Sequence, residues 1–184
     1  MLYRRLVLLS LLPLLLCAQD STTSVAPAAS EDGVSVFFSP QGGAAAAIVK
    51  ALDSARSSVD IQAYYFTSST IAKAVVEAHK RGVKVRVVID HNVLDQQRYS
   101  VATYLTNSGV PVWIDGEHAI AHSKVVLIDG GIVITGSFNF TRAADEENVE
   151  NLLVIENKPK LYKAFAENFD LHWSHAKPYK PRQK

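Results

Sequence analysis

Apolar and polar positions along this chain follow one rhythm as far as Ile114 and another beyond it. Val34 to Phe38 is a short apolar strand, and Gly42 to Ser57 carries Ala44, Ile48, Ala51, Leu52 and Ala55 at helical spacing. The pattern predicts a strand over Val59 to Phe66 and a helix over Ser68 to Lys80, with Ser68 or Ser69 as N-cap and Gly82 as the stop. Val83 to Ile89 reads as a β-branched strand, Leu94 to Asn107 as a helix ended by Gly109, and Pro111 to Ile114 as the opening of another strand. Such alternation predicts parallel strands with helices packed on the sheet.

Beyond Ile114 the connections shorten. Lys124 to Ile128 and Gly131 to Thr135 are apolar runs joined by Asp129-Gly130, a hairpin signal. Asn148 to Ile155 is a further strand, and Lys160 to Trp173 a closing amphipathic helix with Leu161, Phe165, Phe169 and Trp173 on one face. The expectation is an α/β fold: a mixed β-sheet of about six to eight strands flanked by helices on both faces. No repeat or linker interrupts residues 33–176, which form one domain, and residues 177–184 are expected as a basic, solvated tail.

Composition fits one globular domain: 184 residues, 48% hydrophobic and 20% charged, with a single cysteine that rules out an internal disulfide. A net charge of +1 excludes a protein that holds a polyanion by overall charge, so any nucleic-acid contact must come from local patterning. The amino terminus changes that arithmetic. Arg4-Arg5 followed by apolar Leu6 to Leu16 is a secretory-signal pattern, too short to span a membrane. Cleavage after Ala18 would leave about 166 residues, no cysteine and a net charge near −1. The mature chain is then expected to be periplasmic or secreted, with residues 19–32 as a flexible spacer; lipid attachment at Cys17 is disfavoured by bulky Leu16.

The informative chemistry starts at His122. A histidine titrates near neutral pH and can act as nucleophile or general acid. Lys124, two residues on, shares its face of an extended strand and supplies a point charge for phosphoryl oxygens. Ser137 and Asn139 are likewise two apart, so hydroxyl and amide can aim at the same oxygens, and Gly136 permits close backbone approach. Glu150, on the next strand, is a partner for the imidazole's other nitrogen. Three adjacent strands would converge on one phosphate.

At these positions the chain resembles the phospholipase D superfamily, whose His-x-Lys-x4-Asp-x6-Gly-Ser-x-Asn pattern is met by His122, Lys124, Asp129, Gly136, Ser137 and Asn139. The likeness extends over about residues 34–174 and is nearest to the small, secreted, single-motif bacterial endonucleases. It implies a site needing two histidines, hence a homodimer with the site on its two-fold axis. One His122 would form a phosphohistidine and its counterpart would protonate the leaving oxygen, while paired Lys124, Ser137 and Asn139 stabilise charge without a metal or other cofactor. Asp129 belongs to the motif as a structural or orienting carboxylate rather than a proton carrier.

Other residues keep two readings. Lys80, Arg81, Lys84 and Arg86 either bind phosphates along a nucleic acid or are solvated, and Arg142 is a further substrate contact next to the motif. Tyr64, Tyr65 and Phe66 are base-stacking or core residues, with Tyr64 and Phe66 on one face. His172 and His175 have ligand spacing but no third partner in the sequence, so no metal site is expected; His118 and His91 are surface or rim residues, and His79 a surface one. The first expectation is a metal-independent endonuclease cutting DNA with little sequence preference, RNA being left open as a second substrate. The alternatives are a lipid phosphodiesterase of the same superfamily and a non-catalytic nucleic-acid-binding protein. The nuclease reading requires a basic groove on a nearly neutral dimer.

Overall fold

A computed structural model describes residues 26–92 and 101–181. The expected signal, Cys17 and the first part of the helix expected from Leu94 lie outside that range. The described strands are β1 (Ala29–Glu31), β2 (Val34–Ser39), β3 (Ser58–Ala63), β4 (Lys84–Asp90), β5 (Val112–Asp115), β6 (Lys124–Ile128), β7 (Ile132–Gly136), β8 (Glu150–Glu156) and β9 (Lys177–Pro178). The helices are α1 (Ala44–Ser54), α2 (Ser69–Lys80), α3 (Val101–Asn107), α4 (Arg142–Glu146) and α5 (Pro159–His175).

These strands form one nine-stranded sheet in the order β1-β2-β8-β7-β6-β3-β4-β5-β9. Only β3–β4 and β4–β5 pair in parallel, where helical crossovers connect them; the remaining pairs are antiparallel. Period-two alternation divides the sheet into two buried faces. Val59, Ile61, Val85, Val87, Val126 and Ile134 meet Ile48, Leu52, Ile71, Val75 and Leu105 from α1, α2 and α3. Val88, Val125, Leu127 and Val133 meet Phe165, Phe169 and Trp173 of α5 on the other side.

Both ends of the expected domain extend further. Ala29–Glu31, placed in the spacer, pairs with β2, and Lys177-Pro178, placed in the solvated tail, pairs with β5. Tyr179 completes that edge, its amide donating to Val112 O at 2.8 Å and its hydroxyl bonding Thr103 Oγ1 at 2.8 Å. An amphipathic tyrosine beside an unpaired strand edge outweighs the tail's basic composition.

Helix α1 stops at Ser54 rather than Ser57. The reason is Asp129, in the turn after β6, whose carboxylate accepts from the amides of Arg56, Ser57 and Ser58 at 2.7–2.8 Å. Those amides serve a carboxylate 71–73 residues away instead of the helix ladder.

Register decides which strand ends meet. Ala63 pairs with Lys124, Val125 with Thr135, Gly136 with Leu152, and Ser39 with Glu150. The motif residues from β6, β7 and β8 therefore gather at the end of the sheet where β3, β4 and β5 finish.

Candidate active site

Lys124 opens β6 as a buried lysine, 6% exposed. Its Nζ donates to His122 O at 2.6 Å and lies 5.2 Å from the centre of the Tyr64 ring. The exposed His122 ring rests on the same tyrosine, with centroids 4.5 Å apart and planes at 55°. Tyr64 is thus the floor beneath both groups. Burial pulls the Lys124 ammonium below the ordinary lysine range, against the opposing charge of Glu150. A cation over a ring contributes about 0.5–2 kcal/mol, depending on desolvation, which offsets part of the burial cost.

Tyr64 and Phe66, expected on one face of a strand, lie beyond its end, and Tyr64 packs against the core cluster that contains Phe66. β3 ends at Ala63, so alternation lapses, and Phe66 turns into the core edge-on to Phe140 at 5.6 Å. His122 is held from behind by a residue that sequence reading missed. Asp90, fully buried at the end of β4, accepts from Asn92 N at 2.8 Å and from Ala121 N at 2.5 Å. Asn92 Nδ2 donates to Ala119 O at 2.7 Å, fixing the loop that delivers the histidine. A carboxylate closing an apolar strand was the available signal.

Ser137 and Asn139 follow β7, interleaved with Phe138 and Phe140, whose rings are fully buried. Anchoring the two phenylalanines inward displays the two polar residues on the other side. Ser137 Oγ accepts from Asn151 N at 3.1 Å and Asn151 Nδ2 at 3.3 Å. Asn139 Oδ1 is buried without a hydrogen-bond partner among the described residues. Gly136 is required by close approach: a Cβ there would lie 2.2 Å from Asn151 O.

Glu150 lies within electrostatic reach of Lys124 and accepts from Asn148 Nδ2 at 3.3 Å. Among the described residues, no hydrogen bond joins it to His122 within the chain. Asp129 stands at the opposite end of β6, five residues from Lys124, or roughly 17 Å along an extended strand. Burial opposes its ionisation, but the three amide bonds and one from Ser57 Oγ outweigh this and hold its carboxyl below the usual range. It fastens β6 to the start of β3 and does not reach the phosphate site.

The expected cationic contacts are dispersed. Lys84 pairs in register with Ser58, at the Asp129 end of the sheet. Arg86 is engaged beneath α5, bidentate to Asp60 at 2.7 and 2.8 Å, 3.0 Å from Asp170, and 4.8 Å from the Phe169 ring centre. Arg142 begins α4, three residues past Asn139, exposed and paired with Glu146 at 2.9 Å and more loosely with Glu147. Of the expected cations, Lys124 shares the Tyr64 ring with His122.

The family profile described as cardiolipin synthase, PLD-like domain, matches residues 48–173. A protein named phospholipase D from Rickettsia prowazekii is 41% identical over 140 residues, covering 76% of this chain and 67% of its own length. The human mitochondrial cardiolipin hydrolase is 33% identical over 133 residues, 72% of this chain and 52% of its own. Among solved structures, Nuc from Salmonella typhimurium, described as a phospholipase D family member, superposes with a TM-score of 0.77 at 43% identity, covering 80% of this chain and 98% of its own.

Proposed function

Because the chain belongs to the phospholipase D-like family and is a phosphodiesterase of that superfamily, we propose that it is a nucleic-acid endonuclease whose chemistry uses no metal. The observation that carries this reading is the convergence of His122, Lys124, Ser137 and Asn139 at one end of the sheet, with the histidine exposed and the lysine seated beneath it. DNA is taken as the first polymer and RNA as the second; the likeness to Nuc along nearly the whole of that chain supports a compact single-motif enzyme of this kind.

The reaction needs two imidazoles, and this chain carries one copy of the motif. In a homodimer, His122 of one subunit attacks phosphorus, forming an N–P bond as the ester P–O bond breaks. The second His122 delivers its proton to the leaving oxygen. That neutral imidazole then takes a proton from water, whose oxygen attacks phosphorus and frees the first histidine. Lys124, Ser137 and Asn139 from both subunits hold the non-bridging oxygens. Support for a second copy at this face comes from Val149 (88% exposed), Ile120 (54%) and Phe38 (50%), which register and loop contacts set along the same end of the sheet, and from Asn139 Oδ1, unpartnered among the described residues.

A lipid phosphodiester is the second reading, favoured by the names of the Rickettsia and human relatives. The separating experiment offers plasmid DNA, single-stranded RNA and cardiolipin-containing vesicles to the purified protein, with His122→Ala as control. Nicking of DNA, with acid-labile phosphate trapped on His122, is expected. Faster release from vesicles than nicking of DNA would reassign the substrate, and nicking by His122→Ala would overturn the chemistry.

A further inference from the structure

A second cluster of titratable groups lies outside the phosphate site. Asp115 ends β5 with its side chain fully buried. His172 Nδ1 is 2.7 Å from its Oδ2, His175 Nε2 is 3.3 Å from the same oxygen, and His118 Nδ1 is 3.8 Å from Oδ1. One ligand atom from each of the four residues lies within 4.8 Å of the others. The three rings face one another with centroids 5.2–5.4 Å apart.

One buried carboxylate needs one good donor on each oxygen. Oδ1 already accepts from Glu117 N at 3.1 Å, and Oδ2 is served by His172. His175 Nε2 is nevertheless buried against that carboxylate without the alignment of a hydrogen bond, and His118 stands just beyond bonding range. Three imidazoles aimed at a carboxylate that needs one form a ligand set. Tetrahedral zinc, with bonds of about 2.0–2.1 Å, sets ligand atoms roughly 3.3 Å apart; His172 Nδ1 and His175 Nε2 stand 2.7 and 3.3 Å from one Asp115 oxygen, and all four ligand atoms lie within 4.8 Å, so short side-chain shifts would close the set around an ion.

We propose that Asp115, His118, His172 and His175 form a Zn2+ site that fastens the end of α5 to the loop leading to His122. Three imidazoles and a carboxylate select zinc over the hard, oxygen-seeking Mg2+ and Ca2+, and the absence of thiolate disfavours Cu(I) and iron–sulfur clusters. The site stands three strands from β6, about 14 Å away at ordinary strand spacing, so the ion takes no part in phosphoryl transfer. Its consequence is positional. His118 belongs to the same loop that Asp90 and Asn92 hold, and that loop ends at His122.

The test uses the full chain without a histidine tag. Zinc content is measured by mass spectrometry after purification; the chelated protein is then titrated with Zn2+ by calorimetry and with Co2+ by visible absorption. One ion per chain, four-coordinate Co2+ bands, a melting temperature higher by about 5 °C with zinc bound, and slower amide exchange in residues 116–121 are expected. His118→Ala removes an exposed ligand that makes no hydrogen bond among the described residues, so the fold is retained and checked by circular dichroism. It should weaken zinc binding at least about 100-fold, beyond what losing an outer-shell partner causes. Wild type without stoichiometric zinc, octahedral Co2+ bands, or unchanged affinity in both His118→Ala and His172→Gln/His175→Gln would overturn the site. Binding without slowed exchange would overturn its fastening role.

Discussion

Lys124 shows what burial does to a functional charge. Its ammonium is covered by protein and supported by Tyr64, with its folded-state pKa lowered by burial against Glu150. The unfolded chain therefore holds that proton more firmly, and between the folded value and the ordinary value of about 10.4 stability rises with pH. Activity runs the other way, because anion binding needs the protonated form. The alkaline limb of the pH profile of kcat/KM is expected to fall below the ordinary lysine range. In Lys124→Arg, whose guanidinium does not titrate there, the limb should disappear from whatever activity remains. Spacing kept His122 and Lys124 close along the chain, but His122 precedes β6, and it is the Tyr64 ring that both side chains share. Tyr64 and Asp90 were not legible in those roles. The first lies on another strand and the second acts through a loop amide 31 residues away.

Between elements, Asp129 performs the work that its place in the motif left ambiguous. It joins the β6–β7 turn to the residues that end α1 and begin β3, through three backbone amides and a serine hydroxyl. Asp129→Asn should lose about 1–2 kcal/mol at neutral pH, at the lower end because the carboxylate is largely exposed. Its folded-state pKa is depressed, so this stability is present above the unfolded carboxylate value and is lost as pH falls through the folded one. Urea unfolding of wild type and variant should differ at pH 7 and converge in acid. Other elements show the same limit of local reading. Arg86 looks like a phosphate ligand in sequence, yet Asp60 on the neighbouring strand and Asp170 on α5 claim it. The tail looks solvated, yet β5 has an open edge and Tyr179 a partner in Thr103. Charge and proline content cannot reveal a partner supplied by a distant strand or helix.

For the whole molecule, the decisive property is the number of histidines at one phosphate. If the site is shared across a two-fold axis, inactive His122→Ala subunits re-associated with an equal amount of wild type should leave about a quarter of the original activity per total subunit, because only dimers with two histidines turn over. Independent sites would leave half. Sedimentation should give a dimer, and Val149→Glu, which sets a charge on the most exposed apolar side chain near the site, should shift it toward monomer and lower activity with it. Surface charge enters at this scale too. Arg142 is matched by Glu146 and Glu147, and Lys84 stands at the far end of the sheet. Within one chain neither adds unpaired positive charge beside His122, so a basic groove would have to arise from the arrangement of two chains.

The sequence by itself determined the alternation of strands and helices, the mixed sheet, and the motif residues proposed to meet a phosphate, because period, turn chemistry and the spacing of polar side chains are local properties. Strand register, by contrast, depends on pairing between segments far apart in the chain. Tertiary structure alone decided that Asp129 ends up far from the histidine it accompanies in the motif, that Arg86 serves α5, and that Asp115 stands among His118, His172 and His175. The two helical histidines looked incomplete because their third and fourth partners come from the end of β5 and the loop after it, and only folding gathers all four groups into one cluster.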